Sequence, residues 1–337
     1  MTGGGRAVTV VAMAAVVAAG ACAVGGPPDG RDVEITVPEG AGARTVARRL
    51  QAAGLVDHPR LFALYVRLRG TAGSLKAGRY RFETGASWPD LARALERGTV
   101  ATVAVTVPEG LTLEEVARRL EPVTSAGADS LIRLAKDSAF ARSLGVPGPT
   151  LEGYLFPETY RFAEGIAPEA ALRTLVDRYR RFWGPAQRSK ADSAGLDELE
   201  VVTLASIVEE EARVEEERPI IAGVYLNRLE RGMRLQADPT VQYALEEPKE
   251  RLLYRDIRRV ADDPYNTYTH AGLPPGPISS PGAASLRAVL DPADVPYLFF
   301  VARPDGSHVF TRTQSEHVEA KNRLRRERES AGDAGSG

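Results

Sequence analysis

Ile35-Thr36-Val37-Pro38-Glu39-Gly40 and, seventy residues on, Val105-Thr106-Val107-Pro108-Glu109-Gly110 open two copies of one unit. Arg44-Thr-Val-Ala-Arg-Arg-Leu50 follows the first copy and Glu114-Glu-Val-Ala-Arg-Arg-Leu120 the second, so ten of the sixteen aligned positions are identical. Such self-similarity is sought first, because missing it misreads the whole fold. Each copy alternates apolar and polar residues for a few positions, turns at Pro-Glu-Gly, and then repeats apolar residues at helical spacing: Val46, Ala47 and Leu50, or Val116, Ala117 and Leu120. The unit is therefore a strand, a turn and a helix. The arginine pairs Arg48-Arg49 and Arg118-Arg119 read as solvated helix faces.

Between the copies, Ala77-Gly-Arg-Tyr-Arg-Phe82 reads as a strand. Ser87-Trp-Pro-Asp-Leu-Ala-Arg-Ala-Leu95 reads as a helix with Ser87 as its cap and Pro89 in its first turn. Downstream, Ala167–Trp183 carries Leu172, Leu175, Val176, Tyr179 and Phe182 on one helical stripe. Residues 297–302 and 308–312 form a hairpin around an Asp-Gly turn, and residues 313–325 a closing helix. These, His308 and His317 included, read as scaffold. The expected class is α+β: an N-terminal membrane segment (1–30), a strand-helix module (31–148), a mixed α/β domain (149–325) and a disordered tail (326–337).

Composition bounds the function. The 337 residues carry 43 basic and 45 acidic side chains, a formal net charge of −2, too weak a field for a polyanionic partner, so nucleic acid is disfavoured. One Cys and four His without ligand-like spacing exclude a disulfide framework and a thiolate zinc cage. Ala7–Gly25 is uncharged over 19 positions, about 28 Å as a helix, with Arg6 before it and Pro27-Pro28-Asp29-Gly30 after it. That arrangement predicts a cytoplasmic N-terminus and an exported remainder. A retained anchor, a cleaved signal peptide and lipidation at Cys22 are three readings of the same segment.

Two stretches carry candidate chemistry. Leu151-Glu-Gly-Tyr-Leu-Phe-Pro-Glu-Thr-Tyr160 joins aromatics to carboxylates, which suits a sugar-binding loop with Glu152 and Tyr154; a buried turn reads equally well. In Val201-Val-Thr-Leu-Ala-Ser-Ile-Val-Glu-Glu-Glu-Ala212, a helical wheel puts Glu210 opposite the apolar stripe, Glu209 at its edge and Glu211 inside it, between Leu204 and Ile207. A carboxyl among aliphatic side chains is desolvated, and its pKa rises toward that of a general acid. The alternative is a helix end turning to solvent, with Glu211 paired to Arg213 or Arg218. Arg231–Tyr243 offers Gln236, Asp238 and Thr240, with Asp238 a possible helix cap. Tyr265-Asn266-Thr-Tyr268 and the proline-stiffened Gly272–Gly282 loop could preorganise a site.

Taken together, Ala205-Ser-Ile-Val-Glu-Glu-Glu211, Asn227-Arg-Leu, Met233-Arg-Leu-Gln-Ala-Asp-Pro-Thr240, Tyr265-Asn-Thr-Tyr268 and Gly272-Leu-Pro-Pro-Gly276 resemble the endolytic murein transglycosylase, or YceG-like, family. The resemblance runs in order along nearly the whole chain after the N-terminal segment. It implies a single-pass inner-membrane protein with a LysM-like module and an exported catalytic domain that cleaves nascent peptidoglycan. Peptidoglycan glycan strands would be its substrate and peptidoglycan synthases its possible partners. The family's catalytic glutamate corresponds to Glu211, and no cofactor or metal is called for. Gln236, Asp238, Thr240, Tyr265, Asn266, Tyr268, Glu152 and Tyr154 are then candidates for holding sugar. Ala212 stands where the family often has Thr; a glycosidase of the two-carboxylate kind would draw on Asp238, Glu158 or Glu209, and a non-catalytic peptidoglycan-binding scaffold with Glu211 as a structural acid is the other alternative.

Overall fold

The computed structural model describes residues 30–98, 102–245, 247, 249 and 252–334. The expected membrane segment, with Cys22, lies outside them. Among the described residues no helix is long and apolar enough to cross a membrane. The chain divides into two compact units, one of residues up to Ala104 with Arg161–Gly165, the other of Val105–Tyr160 and Ile166 onward.

In the smaller unit β1 (Asp32–Val37) and β2 (Gly78–Glu83) pair antiparallel, Asp32 opposite Glu83 and Val37 opposite Gly78. Three helices complete it: α1 (Ala43–Ala52), α2 (Pro59–Leu68) and α3 (Trp88–Arg97). The stripe predicted for α1 is buried, with Val46, Ala47 and Leu50 packed in one core with Phe62, Val66, Tyr80, Trp88, Leu91 and Leu95. Phe62 meets Trp88 edge to face at 5.6 Å, a geometry the ring quadrupoles favour. Ser87 caps α3 as its sequence predicts, accepting from the Asp90 amide, and Gly98 closes that helix in the left-handed conformation.

β3 (Thr102–Val107) pairs with β4 (Glu158–Ala163) in a second two-stranded sheet. The larger unit then holds α4 (Leu113–Leu120), α5 (Ala128–Ala135), α6 (Ser138–Ser143), α7 (Pro168–Phe182) and α8 (Pro185–Ala194). It continues with α9 (Glu198–Glu211), α10 (Arg218–Glu230), α11 (Asp238–Ala244), α12 (Tyr254–Arg259) and α13 (Ala283–Leu290). The hairpin β5 (Phe299–Ala302) and β6 (His308–Thr311) and the helix α14 (Gln314–Ala334) end it. Mixed helix and strand content agrees with the α+β expectation. α14 runs past Arg325, so residues 326–334 are helical and not the expected disordered tail.

The units divide before the second repeat copy, and not at residue 148 as the sequence reading had it. Hydrogen bonds explain why. Gly110 N donates to Ser280 O at 2.9 Å and Ser280 N to Leu111 O at 2.8 Å, tying the Pro-Glu-Gly turn to the proline loop. Glu152 Oε1 accepts from the Leu113 amide at 2.9 Å, at the first turn of α4.

At the centre lies α9. Asp197 and Glu200 form a reciprocal capping box at its start, worth about 1 kcal/mol. Every residue from Val201 to Val208 is buried, although five of the eight are β-branched and weaken helix propensity. Burial on all sides is what holds this helix. α10 and α13 both pack against it, and Ser206 in its middle accepts from Ile278 N at 3.0 Å while donating to Thr203 O at 2.7 Å.

The aromatic stretch 151–160 is core. Leu151, Tyr154, Leu155, Phe156 and Tyr160 are buried, and Tyr154 sits edge-on to Tyr179 at 5.0 Å. Gly153 makes this packing possible: its φ is +82°, and a Cβ there would stand 2.5 Å from Pro277 and 2.9 Å from Val202. Gly153→Ala is expected to cost about 2–4 kcal/mol, from left-handed strain plus overpacking. A lowered urea midpoint at unchanged m-value will show it.

Candidate active site

The last turn of α9 carries three consecutive acids, and the fold gives each a different environment. Glu209 is neutralised: its side chain is 7% exposed, Oε1 takes Arg218 at 2.9 Å, and Oε2 takes the Gly282 amide at 2.9 Å. Arg218 Nε in turn donates to Ser285 Oγ at 2.9 Å. Arg218 is thus the partner of Glu209 and not of Glu211. Glu210, expected opposite the buried stripe, is itself partly buried against Gly110, whose left-handed turn (φ +78°) would put a Cβ 3.1 Å from Glu210 Oε1. Burial raises its pKa. The wheel assumed one buried face, whereas α9 is enclosed all round.

Glu211 ends the helix, and Ala212 is already extended. Its Oε1 accepts from the Tyr225 hydroxyl of α10 at 2.8 Å. Burial pushes the Glu211 carboxyl up to about 7, with the charges of Asp238 and Glu210 acting in the same direction. The Tyr225 hydrogen bond and the Arg228 guanidinium oppose that rise. Arg228 is locked in place, its Nε donating to Leu298 O at 2.6 Å and a second nitrogen to Leu235 O. A helix C-terminus is the negative end of the backbone dipole, so a carboxylate there is disfavoured once more. The group is poised to hold a proton near neutrality and to give it up in turn.

Glu210, Glu211, Asp238, Tyr243 and His308 all line one cleft of about 660 Å³ in the larger unit, within the usual size of ligand sites. Asp238 is exposed, and its Oδ1 accepts from Tyr268 OH at 2.5 Å. It is the first residue of α11 and not its cap, which is Ala237. Gln236, exposed two residues earlier, has φ +48°, the one non-glycine residue with positive φ among those described. Such strain costs about 1–2 kcal/mol and gathers at functional sites. Tyr265 is partly buried and tilted against Tyr243, ring centres 4.8 Å apart.

Three predicted sugar contacts turn out to be framework. Thr240 is buried, bonded to Ala237 O and to Thr267 Oγ1 at 2.7 and 2.8 Å. Asn266 is buried, its amide donating to Ile257 O and Val260 O and its oxygen accepting from Tyr268 N. Tyr154 lies in the core. Glu152 is buried as well: burial lifts its carboxyl to about 8, and Tyr243, on the cleft wall, donates to its Oε2 at 3.2 Å. These groups shape the walls from behind. Of the alternative carboxylates, Glu158 is bound to Arg178 outside this cleft and Glu209 to Arg218, which leaves Asp238 beside Glu211.

Sequence reasoning missed the part that Tyr225, Arg228 and the hairpin take in the site. Tyr225 ends a buried run of α10 that begins at Ile221, and a buried phenol needs a partner for its hydroxyl, which was the available signal. Ala302, Arg303, Gly306 and His308 line the cleft, so the hairpin is wall and not only scaffold. His308 is buried with Nδ1 2.6 Å from Glu217 Oε2, and no spacing in the sequence announces that pair.

The sequence pattern of the YceG-like family matches residues 35–323. An endolytic murein transglycosylase of Bacillus subtilis (strain 168) is 33% identical over 307 residues, covering 86% of this chain and 84% of that protein. One of Streptococcus pneumoniae (serotype 2, strain D39) is 29% identical over 315 residues, 85% of this chain and 57% of that longer relative. Among solved structures, a YceG-like protein of Listeria monocytogenes superposes with a TM-score of 0.59 at 30% identity, over 87% of this chain and all of that one. The family pattern spans residues 35–323, most of the chain, and this chain belongs to the YceG-like family.

Proposed function

We propose that this chain is an endolytic lytic transglycosylase, cleaving the β-1,4 bond between N-acetylmuramic acid and N-acetylglucosamine within nascent glycan strands. The observation that carries the reading is a single carboxyl, Glu211, at the end of a buried helix in a cleft, lifted to about 7 and held by a tyrosine hydroxyl. The family relatives named above, endolytic murein transglycosylases, supply the substrate class. Protonated Glu211 donates to the glycosidic oxygen, and the bond to the muramoyl C1 breaks. The resulting carboxylate takes the proton of the muramoyl C6 hydroxyl, whose oxygen closes on C1 to a 1,6-anhydro ring. No water is consumed and the acid is regenerated. Asp238, pinned by Tyr268, faces the same cleft with a charge that favours the cationic transition state. In the cell the chain would act from the outer face of the inner membrane, its N-terminus cytoplasmic, ending strand elongation beside the synthases.

Asp238 also supports a second reading, a hydrolase that uses it as base or nucleophile. Product chemistry separates the two. Mass spectrometry of uncrosslinked strands treated with the full chain should reveal internal fragments ending in 1,6-anhydro-muramic acid; reducing ends would establish the hydrolase, and intact strands would remove both. Glu211→Gln should lower the rate by about 10²–10⁴-fold while still binding glycan.

The pH dependence follows from Glu211 itself. Its acid step needs the proton, so kcat should fall as pH rises through about 7. Tyr225→Phe removes a hydrogen bond that favours the charged form, and the alkaline limb of the profile should move up by about one unit. An unmoved limb would assign the titration to another group.

Stability carries the same signature. The folded carboxyl binds its proton more tightly than the unfolded one, whose pKa is about 4.3. This contribution is complete below about pH 4 and is lost as pH rises through 7. Glu211→Gln cannot ionise, so relative to wild type it should gain stability between about pH 5 and pH 8, by roughly 1–3 kcal/mol. Urea midpoints at the two pH values measure the gain.

A further inference from the structure

The smaller unit has a site of its own that the cleft chemistry does not use. α1 and α2 enclose a groove of about 770 Å³ lined by Arg44, Arg48, Arg60 and Arg67, with Leu64 among them. All four arginines are exposed, and no carboxylate pairs with any of them among the described residues. On the same helix as Arg60 and Arg67, Leu61, Leu64 and Leu68 are exposed at 48%, 42% and 45%. Their spacing of three and four places them on one face of α2, while Phe62, Ala63, Tyr65 and Val66 of the same helix supply the core. α2 thus has a second apolar stripe facing outward, bordered by guanidiniums.

The repeat provides an internal control. At the position equivalent to Arg44 the second copy has Glu114, which pairs with Arg118 at 3.6 Å and with Lys136 at 2.8 Å. Arg118 is the equivalent of Arg48. One copy therefore neutralises its arginine by an i,i+4 acid, and the other puts a second arginine at that position. Two like charges at i,i+4 destabilise a helix, so the first copy bears a cost that its twin avoids. Uncompensated positive charge of this kind fits an anionic surface outside the protein.

We propose that the α1–α2 face of the smaller unit docks on a bilayer rich in anionic phospholipid, with the four guanidiniums on headgroup phosphates and the three leucines at the acyl boundary. The leucines select this occupant. A soluble polyanion would satisfy the arginines and leave three large aliphatic side chains in water, whereas a bilayer interface takes both. Arginine also bridges phosphate oxygens in a two-pronged manner that lysine does not match. The proposal concerns a surface remote in chemistry from Glu211 and stands or falls separately from the catalytic reading.

The test uses the full chain with Cys22→Ser and Leu64→Cys, labelled with an environment-sensitive dye and placed in nanodiscs of phosphatidylcholine alone or mixed with phosphatidylglycerol. A blue-shifted emission is expected with phosphatidylglycerol only. It should be lost at high salt and in a variant with Arg44, Arg48, Arg60 and Arg67 all changed to Ser, and be absent from a dye at Arg93→Cys on α3. Because Leu64, Arg93 and the four arginines are exposed, far-ultraviolet circular dichroism should be unchanged by their replacement. Equal emission in both lipids, a shift that survives the arginine changes, or the same shift with polyphosphate in phosphatidylcholine nanodiscs would overturn the proposal.

Discussion

A carboxyl that must end a helix, and must do so where the helix is surrounded by protein, is the constraint from which the larger unit can be understood. The C-terminal turn of a helix repels negative charge, and acids there are ordinarily replaced by lysine or arginine. α9 has three acids in its last turn and no basic residue. Local electrostatics oppose this placement, and the rest of the unit is arranged to sustain it. Eight successive buried residues fix the helix so firmly that its end cannot fray toward water. Tyr225 and Arg228, both on α10, give the terminal carboxylate enough support to exist in either protonation state. Without them burial would favour the protonated form more strongly still.

The three acids are distinguished by what surrounds them. Arg218 and the Gly282 amide occupy Glu209, so that acid links α9 to the start of α13 and is removed from the chemistry. Separating this buried pair would leave a bare charge, at a cost of about 3–5 kcal/mol; the pair is a fixed point. Gly110 leaves room for Glu210. Glu211 alone receives a phenol. Identical residues in sequence thus become a strut, a cleft wall and a carboxyl held by a phenol, and the difference arises from α10, the proline loop and the second repeat turn.

Elements with a period of their own were legible in the sequence. The repeat strands and helices, α3 with its Ser87 cap, α7 and the β5–β6 hairpin all stand where periodicity and turn chemistry put them. Glu211 was legible as well, since an acid on an apolar stripe is visible in a helical wheel. What failed was the assumption that a helix has one buried face, and it misplaced Glu210. The aromatic run 151–160 was ambiguous because Tyr and Phe serve cores and sugar surfaces equally, and only long-range packing on Tyr179 and Pro277 decides between them. Thr240 and Asn266 misled for a related reason: polar side chains in a loop can face a ligand or hold the loop. Here they hold it, and what they hold is Tyr268 against Asp238.

The two repeat copies show how one local solution acquires separate duties through a few side chains. Both have the same strand, turn and buried helical stripe, so their internal packing is alike. In the second copy Thr112 and Glu115 add a capping box, Glu114 neutralises the basic face, and Glu152 accepts from the first helical amide. Every exposed polar group of that helix start is engaged, as required of an element that must keep Gly110 beside Glu210. The first copy has Gly42, Arg44 and Thr45 at the corresponding positions, with no side-chain cap. Its helix is held by the core stripe alone, and its charged face is unoccupied by any internal partner among the described residues. The Val-Ala-Leu stripe that builds the core is the same in both copies, and Arg44 opposite Glu114 is the exchange that leaves one basic face unpaired and the other neutralised.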